Sequence, residues 1–89
     1  MDTFNKIYKK TRRVFTRNKA EWDDNKQIKA FYLKDSKIAV IDLEETSKRQ
    51  GVSNTSNYKY NVMSDKKPAI PCNTVEEVMS AIEKKLNEK

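Results

Sequence analysis

An α+β fold of order α-β-β-β-α is predicted by two features. Each end of the chain carries an apolar stripe at helical spacing, and between them lie short β-branched and aromatic runs split by turn residues. The three runs would form an antiparallel meander covered by the C-terminal helix, with a basic amphipathic helix at the N-terminus. The 89 residues make one domain, 1–89. Only 36% are hydrophobic while 36% are charged, and Leu, Ile, Val and Phe together number 18, so the core must be thin. A domain of this length buries only about 60% of its unfolded surface, which makes a homo-oligomer interface or an obligate partner a natural expectation.

Phe4, Ile7, Tyr8, Thr11, Val14 and Phe15 recur at spacings of three and four, which predicts a helix over 4–19 within a cationic segment 1–20. Asp2 or Thr3 would cap it, and the rod would be about 24 Å long. Residues 20–26 (AEWDDNK) read as an ordered polar connector that folds back to bury Trp22. The sheet is expected over 27–63. Residues 27–34 and 37–43 form a hairpin around Asp35 and Ser36, and the second strand, apolar on both parities, would be covered on both faces. Residues 44–57 read as a long polar loop around the only glycine, Gly51. The third strand is expected at 58–63, followed by a turn over 64–71 that ends the sheet with Pro68 and Pro71. Thr74 and Glu77 form a capping box for a helix over 74–88, whose stripe is Val75, Val78, Met79, Ile82 and Leu86.

Charge is segregated. Residues 1–20 hold seven Lys or Arg against one Asp, net +6, whereas residues 21–89 hold twelve of each sign. Such a segment fits an anionic partner: nucleic acid, an acidic protein surface or anionic lipid. The candidate nucleic-acid ligands are Lys6, Lys9, Lys10, Arg12, Arg13, Arg17 and Lys19, whose ammonium and guanidinium groups can neutralise several phosphates. Lys48 and Arg49 join them as cations of the long loop, beside Ser, Thr and Asn donors. Tyr8, Phe15, Tyr58 and Tyr60 could stack on bases if exposed, although their spacing also suits core filling.

Catalysis finds little support. There is no histidine, and hence neither the commonest general base nor the commonest metal ligand. Cys72 has no base beside it and reads as a small buried filler, and one glycine cannot build a phosphate loop. Asp23–Asp24, Glu44–Glu45 and Glu76–Glu77 follow no metal-ligand spacing, so neither a metal nor a cofactor is expected, nor an enzyme. No apolar run approaches the ~20 residues of a membrane span, no secretory signal is visible, and one cysteine allows no internal disulfide. A cytoplasmic location is expected, without membrane attachment.

The α-β-β-β-α order resembles that of double-stranded RNA-binding domains, but those place a lysine cluster where this chain has Glu76 and Glu77. The stretches FNKIYKKTRRVFTRNK and KIAVIDLEETSKRQGVSNTSNYKYNV, in a Lys- and Asn-rich chain, look like the small early proteins of T4-like bacteriophages. Among these the chain is most similar to inhibitors of RNA-associated toxin–antitoxin endoribonucleases. The resemblance implies a basic counter-defence protein that meets a host toxin or nuclease together with RNA in the host cytoplasm. The expectation is therefore a non-enzymatic RNA-binding accessory protein. Its alternative is an inhibitor that docks the basic helix on an acidic protein surface without nucleic acid.

Overall fold

In a computed structural model that describes residues 3–17, 19–65 and 67–87, both terminal helices are present, and the sheet between them has five strands rather than three. The elements are α1 (Thr3–Val14), β1 (Ala20–Asp24), β2 (Lys29–Leu33), β3 (Ile38–Asp42), α2 (Leu43–Arg49), β4 (Tyr60–Ser64), β5 (Lys67–Cys72) and α3 (Val75–Asn87). The strands form one antiparallel meander in the order β1-β2-β3-β4-β5. The class α+β holds, but the α-β-β-β-α order does not, and the likeness to double-stranded RNA-binding domains loses the element order that carried it.

Register places the core. Trp22, Phe31, Val40, Val62 and Ile70 are cross-strand neighbours in one row, and Leu33 with Ile38 belong to the next row on the same face. Phe4 and Ile7 of α1 and Val78, Ala81 and Ile82 of α3 close over these rows in one buried cluster with Tyr60 and Cys72. Both terminal helices therefore lie side by side on one face. The other face carries Ala39 and Ile41, half-buried, and Met63, exposed. This corrects the expectation of cover on both sides of β3: its apolar residues are fully buried only where the helices lie.

The two added strands are the edges. AEWDD pairs only with β2, and an edge strand tolerates charge on its outer side. Asn25 closes the β1–β2 hairpin through its side-chain oxygen, which accepts from Gln27 N at 2.8 Å and Ile28 N at 3.0 Å. KPAIPC, expected as a turn, pairs only with β4. Proline lacks the ladder donor, so an edge is where Pro68 and Pro71 can sit. Lys85 of α3, 3% exposed, donates to the Pro68 carbonyl at 2.6 Å and ties the helix to this edge.

Helix boundaries shift for local reasons. Helix α1 ends at Val14, not residue 19, because Val14, Phe15 and Thr16 are poor helix formers and Phe15 turns in against the core. Asp2, Asn18 and Lys66 lie outside the described residues. The segment read as a loop from residue 44 begins as α2. Asp42 caps it, accepting from Glu45 N at 3.1 Å, and Gly51 at φ +73° ends it. There Val52 N donates to Ser47 O and Gly51 N to Lys48 O, a Schellman closure that needs a left-handed residue. The capping box of α3 is as read: Glu77 N donates to Thr74 Oγ1 at 3.1 Å, and Asn73 N to Glu77 Oε1 at 3.1 Å.

Ile82 is fully buried between α3 and the sheet, so Ile82→Ala should cost roughly 2–5 kcal/mol in urea unfolding. Ile41→Ala, on the half-buried face, should cost distinctly less. Equal losses would mean that both faces of the sheet are equally covered.

Candidate nucleic-acid interface

The amphipathic pattern of α1 decides what its cations can do. Phe4, Ile7 and Thr11 are buried, and Thr11 bonds back to the Ile7 carbonyl, so the helix is held by one narrow face. That orientation leaves Lys6, Lys9, Arg12 and Arg13 exposed and Lys10 half-buried. The helix has no acidic residue, and Lys6, Lys9, Lys10 and Arg13 are neighbours at spacings of three and four. Such like-charge pairs cost a few tenths of a kcal/mol each (~0.2–0.5), a penalty that an anion would relieve. Among the described residues none of these five cations forms an ion pair. Arg12 and Arg13 also lie in the last turn, where the helix dipole favours positive charge.

Arg17 and Lys19, expected on the helix, lie in the connection to β1, both exposed. The Lys19 carbonyl accepts from Lys34 N at 3.0 Å, which extends the β1–β2 ladder and fixes the backbone under the side chain. Arg12, Thr16, Lys19, Ala20 and Glu21 line a cleft between the end of α1 and the start of β1. Tyr8 spans the same junction and donates to the Ala20 carbonyl at 3.2 Å. The Glu21 carboxylate accepts from the Tyr32 hydroxyl at 3.2 Å, which raises the phenol's pKa, and lies 3.8 Å from Lys34.

The loop pair divides. Both residues sit in the last turn of α2, not in a loop. Lys48 is exposed, whereas Arg49 is half-buried and committed to partners within the chain. Its guanidinium pairs with Asp24 and Glu45 and donates to the carbonyls of Asn25 at 2.8 Å and Ile28 at 3.2 Å. The hydrogen bond to Asp24 pushes the Arg49 pKa up. Arg49 thus fastens α2 to the β1–β2 turn. The seven N-terminal cations and Lys48 do not converge: α2 packs where β3 ends, near Phe4 at the start of α1, and the Arg12–Lys19 cleft lies at the far end of that helix.

The aromatics also divide. Tyr60 is 6% exposed and belongs to the core, Tyr8 and Phe15 pack partly against it, and Tyr58 is open. Trp22, expected to be buried by its connector, keeps 39% of its surface exposed on the edge strand. Sequence reasoning missed it because a five-residue edge strand carries no periodic signal. Cys72 is buried as expected, its thiol directed at the Ile70 carbonyl at 3.5 Å. Burial, and then the Glu77 charge, push this thiol up to about 11, far from a reactive thiolate at neutral pH. Among the described residues no three His, Cys, Asp or Glu side chains gather as a metal site, and no helix is long and apolar enough to cross a membrane. No family model matches the chain, and neither does any curated protein or solved structure.

Because Arg49 binds four groups, Arg49→Ala should lower the thermal midpoint by several degrees, while Lys48→Ala should leave it unchanged. Equal midpoints for the two variants in a melting experiment would contradict the anchoring role. Cys72 sets an alkaline limit. The free thiol loses its proton near 9.0 and the folded one near 11, so the native state holds more protons between those values. Unfolding free energy should therefore fall as pH rises through that window in the wild type, with a smaller decline in Cys72→Ala.

Proposed function

We propose that the chain is a non-enzymatic RNA-binding accessory protein that grips phosphates with the outer face of α1 and the adjoining turn. The observation that carries this reading is the free cationic face. Lys6, Lys9, Lys10, Arg12 and Arg13 stand on one helix with no acid among them, and Arg17 and Lys19 continue the surface. Arg49, by contrast, is spent on the fold, and its place among the nucleic-acid ligands passes to Lys48 alone, as a peripheral contact. A surface kept self-repelling is readied for a polyanion. RNA, and a role as a phage counter-defence factor against a host toxin or nuclease, are proposed from the sequence resemblance to early phage proteins.

About five phosphate contacts would give a slope of roughly −3 to −4 for log affinity against log salt on single-stranded RNA. Replacing Lys6, Lys9 and Arg13 by Glu should abolish binding while the far-UV spectrum stays that of the folded protein. Retained binding with a slope near zero would sink the electrostatic reading. A protein partner that is captured equally after RNase treatment, and lost in the charge-reversed variant, would establish instead an inhibitor docked on an acidic protein surface.

A further inference from the structure

The single tryptophan lies where a basic helix meets an open sheet edge. Its ring stacks on Tyr8 with centroids 4.2 Å apart and 30° between planes, and packs edge-on to Phe31 at 6.1 Å. Phe4, at 5.9 Å, completes the support. The indole is thus fixed in orientation yet 39% exposed, a high value for a side chain of this size held by three aromatic neighbours. The Arg12 guanidinium sits 5.7 Å from the centre of the same Tyr8 ring. Trp22 is two residues along β1 from Ala20, on the same side of the strand, and Ala20 lines the cleft shared by Arg12, Thr16 and Lys19. An indole held by three rings, with part of its surface open, therefore lies two residues along the strand from the lining of a pocket with two exposed cations and a hydroxyl donor. Among the described residues Glu21 is the one carboxylate lining the cleft, and it is engaged by Tyr32 and Lys34.

Resting on the RNA-binding reading above, we infer that Trp22 with the Arg12–Thr16–Lys19 cleft forms a stacking site for one unpaired base and its phosphate, so the ligand is single-stranded RNA rather than duplex. The base lies on the open part of the indole, and Arg12 and Lys19 meet the flanking phosphate. Stacking requires a π-face free of its own neighbours, and a base inside a duplex has none to offer. The preset ring needs little ordering on binding, because Tyr8, Phe31 and Phe4 already hold it.

The single indole reports on its own site. Titration of the full chain with a short oligouridine should quench tryptophan emission saturably, and a perfect RNA duplex of the same length should quench it little. Trp22→Ala should weaken oligouridine affinity about tenfold, with duplex affinity and the salt slope unchanged, and Trp22→Phe should recover most of the loss. Wild-type quenching needs no substitution, so the inference stays open to refutation if Trp22→Ala folds poorly. Salt-dependent binding without quenching, or equal affinities of wild type and Trp22→Phe and Trp22→Ala variants, overturns the stacking site and leaves the phosphate-gripping face standing. Absence of binding to both RNAs overturns the two together.

Discussion

The whole arrangement depends on how a helix with five cations and no acids is held against a thin core. Phe4 does most of this. It is fully buried, and its ring meets Phe31 at 5.3 Å, Trp22 at 5.9 Å and Tyr60 at 5.9 Å. Tyr8, one turn on, stacks on Trp22 and bonds to the Ala20 carbonyl. Aromatic pairs of this kind contribute about 0.5–1.5 kcal/mol each beyond their buried area, more than each like-charge contact on the outer face costs. Five rings thus supplement the packing of only 15 Leu, Ile and Val residues in 89. Because the rings come from α1, β1, β2 and β4, the same cluster that holds the charged helix also fixes where its cations point.

Helix α2 is attached differently, because it contains no buried residue. Its attachment is polar: Asp42 at the cap, Thr46 accepting from Lys29 N at 3.0 Å, and Arg49 reaching the β1–β2 turn. A cation that looks like an RNA ligand in the sequence is a fastener in the fold. Through Nη1 and Nε one guanidinium gathers two carboxylates and two carbonyls from separate segments. The molecule therefore separates its charges by task. N-terminal cations face solvent, and the arginine of the body closes the structure.

What the sequence determined by itself are the elements whose signals are local. The stripe from Phe4 to Phe15, the box formed by Thr74 and Glu77, and the β-branched and aromatic runs around Phe31, Val40 and Val62 each state their structure within one or two turns of chain. The segregation of charge, and with it the cationic face of α1, is also fully visible there. Helix α2 was legible too, in Asp42 three residues before Glu45 and in Gly51 just past the last turn, but the polar composition of 44–57 outweighed those caps.

Only the tertiary structure decided the two edge strands, the destination of Arg49 and the exposure of Trp22. AEWDD and KPAIPC carry no alternation or β-branched run of the usual kind, and they are strands because β2 and β4 offer each of them a ladder. Arg49 is bound by Asp24 and Asn25, whose distance along the chain hides the contact from any local pattern. Trp22 remains partly open because its strand has a neighbour on one side only. Local propensity is written in consecutive residues, whereas an edge, an ion pair across 25 residues and an uncovered ring exist only once distant segments have been brought together.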